Sequence, residues 1–126
     1  MLRGIIKSTL YVKVSSNRLE VRHIESGRFA QVTSDTPFTT RRLLMGDFKA
    51  AEAALRKAFA EVQAGPSYLA APRVVMHPVE MVEGGLSGIE NRVFMEVADC
   101  AGADRIAVWV GHELSDQEVL DKINAA

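Results

Sequence analysis

Apolar positions recur along this chain with two different periods. Residues 9–14, 18–24 and 28–33 are short, rich in β-branched and aromatic side chains, and separated by the turn-forming runs Ser15-Ser16-Asn17 and Glu25-Ser26-Gly27. Such spacing predicts a three-stranded antiparallel meander. In the second strand Leu19, Val21 and Ile24 are interleaved with Glu20, Arg22 and His23, so one face of it is expected to meet solvent. After a polar stretch, 34–42, the period lengthens. Phe48, Ala51, Leu55, Ala58, Phe59 and Val62 fall at helical spacing behind Asp47, a suitable N-cap, and Gly65-Pro66 is expected to stop that helix. Residues 73–79, Arg-Val-Val-Met-His-Pro-Val, form an apolar run suited to a buried strand. Ser87-Gly-Ile-Glu90 has the spacing of a capping box, and Ile89, Val93, Phe94, Val97 and Ala101 follow as the inward stripe of a helix that Gly102 ends. A fifth strand is expected over 105–110. Ser115-Asp-Gln-Glu118 then opens a last helix with Val119, Leu120 and Ile123 inward.

The order βββαβαβα predicts an α/β domain with a mixed five-stranded sheet flanked by helices, in which right-handed crossovers make strands one, four and five parallel. At 126 residues, 48% hydrophobic and 25% charged, the chain is long enough for one core and is read as a single domain over 1–126. Its net charge of −1 hides an asymmetry. Residues 1–42 carry eight basic and three acidic side chains, so a polyanion or membrane surface would meet this third of the molecule. One cysteine, Cys100, excludes an internal disulfide, and no apolar run approaches the ~20 residues of a membrane span. The opening residues lack the apolar core and cleavage site of a signal peptide, and a cytoplasmic setting is expected.

This layout is that of the ribonuclease H-like fold, shared by actin-like ATPases, hexokinases and many nucleases, and four segments narrow the comparison. Gly46-Asp-Phe-Lys-Ala-Ala-Glu-Ala-Ala-Leu-Arg-Lys57, Ala71-Pro-Arg-Val-Val-Met76, Gly88-Ile-Glu-Asn-Arg-Val93 and Ala98-Asp-Cys-Ala-Gly-Ala-Asp-Arg-Ile106 resemble, in order and spacing, the N-terminal half of the bacterial actin homologue MreB, the rod-shape-determining family. The resemblance covers roughly residues 2–110. It implies an actin-like half-domain, truncated relative to that longer family, whose nucleotide lies between two such halves. The short 34–42 connection leaves little room for the family's small outer subdomain.

The resemblance also locates the first phosphate loop, where the family has Asp-x-Gly-Thr/Ser at the end of strand one. The acid positions hydrated magnesium and the glycine lets backbone amides approach phosphate. Here that stretch is Lys13-Val-Ser-Ser16. A lysine repels a divalent cation, and two-metal nucleases of the fold need the same acid. Lys13, Ser15, Ser16 and Glu90 are therefore the degenerate nucleotide-site positions. By resemblance Glu90 would orient the hydrolytic water; on its own spacing it closes a capping box with Ser87. ATP with magnesium is disfavoured as a cofactor, and no catalytic residue is assigned. Lys13 with Ser15, Ser16 and Asn17 offers an anion cradle at the sheet's carboxyl edge, or an ordinary solvated turn.

His77 and His112 stand near the carboxyl ends of neighbouring strands, and with Glu80, Glu83 or Glu113 they would make a two-histidine, one-carboxylate metal site. The spacing fits no ligand motif, so both are read first as surface histidines. His23 is read as isolated on strand two, Cys100 as core filler, and Trp109 as core or an interface anchor. Met1, Leu2, Ile5 and Ile6, interleaved with Arg3 and Lys7, would touch a membrane weakly or form an N-terminal arm. Arg18, Arg22, Arg28, Arg41 and Arg42 would help an anionic surface bind, or be a solvated face. For nucleic acid the stacking residues there are few, Tyr11 and Phe29, and none is expected as partner.

The expected function is that of a non-catalytic, MreB-like binding or assembly module in cell-shape or cytoskeletal regulation. Strand five and the last helix would leave an apolar surface exposed for a second copy or an actin-like filament. The alternative is a small metal- or anion-binding protein, or enzyme, using the edge around His77 and His112.

Overall fold

The structure, a computed structural model, describes residues 7–63 and 71–126. The period-2 segments become β1 (Thr9–Ser15), β2 (Arg18–His23) and β3 (Phe29–Thr33), followed by α1 (Phe48–Val62), β4 (Arg73–Pro78), α2 (Gly88–Cys100), β5 (Arg105–Val108) and α3 (Asp116–Ala125). The sheet order is β3-β2-β1-β4-β5, with β1–β2 and β2–β3 antiparallel and β1–β4 and β4–β5 parallel. This is the mixed five-stranded sheet the pattern predicts. Register puts Lys13 beside Glu20 on one side and His77 on the other, and Tyr11 between Arg22 and Val75.

Turn chemistry sets the meander. Asn17 takes a left-handed φ of 57°, which asparagine tolerates, in the tight β1–β2 turn, and Gly27 supplies φ 77° between β2 and β3. Asn17 does a second job: its Oδ1 accepts from the amides of Phe38 and Thr39, both at 2.8 Å. That clamp folds the 34–47 connection back over the hairpin. The connection is therefore not a purely polar link, because Phe38, Leu44 and Met45 are buried in the core.

Each helix starts on a side-chain cap. Asp47 accepts from the Ala50 amide, and Ser87–Glu90 and Ser115–Glu118 are both reciprocal capping boxes. α1 and α2 cover one face of the sheet, where Leu10, Val12, Val14, Leu19, Val21, Val74 and Met76 join Leu55, Phe59, Phe94 and Val97 in one large cluster. α3 covers part of the other face with a small cluster of Tyr11, Val75, Leu114, Val119 and Ile123.

Several expectations about burial are corrected. Ile89 is 73% exposed and Val93 half-buried, so the inward stripe is Phe94, Val97 and Ala98 on α2, continued by Ala101 at its C-cap. Ile89 falls in the first turn of α2. Cys100 is exposed at the end of α2 instead of filling core, and Leu120 is half-buried. Trp109 is half-buried at the rim of the small cluster, with Lys122 Nζ 4.1 Å from its ring centre. Among the described residues no large apolar side chain of strand five or the last helix is fully exposed, and Ile106, Val108, Trp109 and Leu120 are half-buried. Ile106 and Val108 lean on the large cluster and Ala107 on the small one. β5 also ends at Val108, earlier than the periodicity suggested. The N-terminal segment 1–6 and Gly65-Pro66 lie outside the described residues.

Candidate functional site at the carboxyl edge of the sheet

The parallel strands β1, β4 and β5 end on the same side, and sheet order reverses around β1 there, which is where α/β sheets place their ligands. A shallow pocket of about 290 Å³ opens at that edge, lined by Lys13, Ser15, Arg18, Glu20, His77, Val79, Gly111 and Glu113. The structure thus gathers Lys13, Ser15, His77 and Glu113. Glu90, Glu83 and His112 do not line it.

Lys13 is held by two carboxylates: its Nζ donates to Glu113 Oε1 at 2.7 Å and lies 3.6 Å from Glu20. The hydrogen bond with Glu113 keeps the ammonium protonated above its ordinary range, and the same bond holds Glu113 below the usual carboxylate range. The neighbouring turn amide is also taken. Ser16 N–H donates to Glu80 Oε1 at 2.5 Å, and hydrogen bonding from the Ser16 side chain, then from this amide, holds Glu80 below the usual carboxylate range. Ser15 Oγ accepts weakly from Arg18 Nε at 3.4 Å. Of the positions that would cradle an outside anion, Lys13 and Ser16 are engaged with the chain's own acids, and the Asn17 amide donates to Thr39 Oγ1.

His77 is 2% exposed, a correction to its reading as a surface histidine. Its Nε2 lies 3.0 Å from the carbonyl oxygen of Gly111, which only accepts, so this nitrogen carries the proton. Nδ1 therefore accepts from the Tyr11 hydroxyl at 2.5 Å, and that hydroxyl in turn accepts from the Leu114 amide at 3.1 Å. Burial lowers the His77 pKa and raises that of Tyr11. The pair is neutral and its hydrogen-bonding capacity is spent within the fold. It ties β1 and β4 to the β5–α3 connection. Gly111 sits at φ 147°, and a Cβ there would meet the Trp109 ring at 2.7 Å, so the turn that presents its carbonyl requires glycine.

His112 is exposed and pairs with Glu118 at 2.9 Å, at the start of α3. It is not brought together with His77 as a ligand pair. Among the described residues no group of three histidine, cysteine or acidic side chains is arranged to hold a metal ion. The donor set at the end of β1 does not fit hydrated magnesium either, because the Lys13 ammonium stands among the carboxylates that would have to serve it. Glu90 Oε1 accepts from the Ser87 amide at 2.9 Å, which is its capping role.

Arg22 lies 2.9 Å from Asp116, out of line for a hydrogen bond, and 5.4 Å from the Tyr11 ring centre. His23, read as isolated, is buried between Ser8 and Ser26, and burial lowers its pKa. Tyr11 is buried and offers no stacking surface, whereas Phe29 is exposed. The Tyr11–His77 pair and the Glu80–Ser16 bond were missed in the sequence. Tyr11 and Lys13 share a strand face, but only the parallel register brings His77 beside them. Among the described residues no helix is long and apolar enough to cross a membrane.

No protein-family model matches the sequence. The chain is similar to the protein YjaA of Escherichia coli (strain K12), itself described as uncharacterized, with 38% identity over 101 residues and 76% of each chain covered. At that identity and coverage the chain belongs to the family of YjaA.

Proposed function

We propose that this YjaA-family chain is a ribonuclease H-like, actin-like domain related to the N-terminal half of MreB, and that it works in the cytosol as a binding and assembly module instead of an ATPase. The β3-β2-β1-β4-β5 order with β1, β4 and β5 parallel supports the fold reading. The observation that carries the functional reading is the state of the position matching the first phosphate loop. Lys13 is clasped by Glu113 and Glu20, and Glu80 occupies the Ser16 amide. A nucleotide phosphate would have to displace a carboxylate from that amide and approach two more, and magnesium would meet an ammonium. Both ring nitrogens of His77 are spent, which weighs against a metal or enzymatic role for this edge. The partner class is a second copy of the chain or an actin-like filament.

The test is calorimetric titration of ATP with magnesium into the full chain, with sedimentation alongside actin-like filaments. No heat of binding is expected. A dissociation constant below about 100 μM, roughly 5.5 kcal/mol of binding, would overturn the reading.

A further inference from the structure

The two ends of the sheet are protected unequally. β5 is four residues long and opens with Arg105, a charge of the kind that discourages edge pairing. β3, Phe-Ala-Gln-Val-Thr, has no charge, proline or glycine, and its Phe29 is 59% exposed. Its outward-facing backbone can be identified. Ser34 N–H donates to Asn17 O and His23 N–H to Arg28 O, and these two bonds bracket the β2–β3 ladder. Antiparallel alternation then assigns Ala30 and Val32 to β2, and leaves the N–H and C=O groups of Phe29, Gln31 and Thr33 pointing away from the sheet.

We propose that β3 pairs antiparallel with β3 of a second copy, about a two-fold axis at Gln31, to give a continuous ten-stranded sheet. This names the partner for the assembly role proposed above and rests on that reading. In this register Gln31 faces Gln31 of the other copy and Phe29 faces Thr33, so all the outward groups of both strands are satisfied together. The same register sets exposed Arg28 beside Ser34 and exposed Asp35 of the other copy, which is charge complementarity built into a self-pairing edge.

The layer beneath agrees. A groove of about 500 Å³ lies between β3 and α1, lined by Val32, Thr33 and the alanines of α1 together with Asp35, Asp47, Lys49 and Lys57. α1 packs over β2 and β3, so adding the two-fold-related half at strand spacing brings the two α1 axes to about 10 Å apart, a helix-packing distance that small side chains such as alanine permit. Ala30 and Val32 of the second strand, on the helix-facing side, would enter that layer.

Sedimentation velocity across a concentration series to about 300 μM reads the assembly. A dimer is expected. Gln31→Lys, on an exposed side chain, sets like charges directly across the axis and should weaken the dimer by roughly tenfold or more while leaving the circular-dichroism spectrum unchanged. A geometric check uses Gln31→Cys in a Cys100→Ser background. The expected Cα separation of about 5.5 Å suits a disulfide, so mild oxidation should give a covalent dimer, and Asn124→Cys in the same background should not. A wild-type chain that stays monomeric, or a dimer that Gln31→Lys leaves intact, overturns the interface even if ATP is not bound. ATP binding by a dimer that Gln31→Lys breaks would remove the module reading and keep the interface.

Discussion

The two faces of the sheet are built on the same strands and solve different problems. Beneath α1 and α2, alternate residues of β1, β2 and β4 are aliphatic, and their cluster is continuous from Val32 at the β3 edge to Ile106 on β5. Beneath α3 the intervening residues are Tyr11, Lys13, Glu20, Arg22, Val75 and His77, of which Tyr11 and Val75 alone join an apolar cluster. One face stabilises by area removed from water. The other spends its positions on hydrogen bonds and ion pairs whose net worth is small when made and whose loss is costly where buried. The polar face is therefore the one that can fix a geometry, and it holds the carboxyl edge in a self-neutralised state.

That contrast is sharpest in core truncation. Leu55→Ala on the large face should cost about 3 kcal/mol in urea unfolding, because neighbours on several elements cannot collapse into the hole. Ile123→Ala on α3 should cost about 2 kcal/mol, at the low end for such changes, since the small cluster and C-terminal helix can relax. Equal costs would mean that the α3 face is packed as tightly as the other.

His77→Phe comes next, with an expected loss of about 2 kcal/mol at pH 7, because the Gly111 carbonyl and Tyr11 hydroxyl lose their partner. Its pH dependence has a definite sign. Burial depresses the His77 pKa, so the unfolded chain binds protons more readily, and wild-type stability falls as pH drops below the unfolded value of about 6.5 and on through the folded one. His23 behaves alike. The gap between wild type and His77→Phe should narrow from pH 7 to pH 5, and a gap that is constant over that window would remove the buried neutral histidine from the account.

Smaller effects compare the two capping boxes. Ser87→Ala and Ser115→Ala should each cost about 1 kcal/mol by thermal unfolding. The second box carries an acid-sensitive element. Glu118, held to about 2 first by the Ser115 amide and then by His112, contributes stability that is present above 4.5 and lost as pH falls toward 2. Glu118→Gln should flatten that acid limb in urea unfolding followed from pH 5 to pH 2.

Period and punctuation in the chain determined the element order, the parallel and antiparallel senses, the Asp47 cap and both capping boxes, because these depend on residues a few positions apart. Site residues were legible as types and not as partners. Lys13 stood out against the acid expected there, but its union with Glu113 spans 100 residues and follows from where the β5–α3 connection turns. Likewise, a histidine ahead of a proline gave no sign that Tyr11 and Gly111 would bury it, and Ile89 and Cys100, read as inward, are exposed at the two ends of α2. Local sequence sets backbone period and caps; burial, partner choice and charge state are set by the strand register and the helices laid across it, which only the folded sheet brings together.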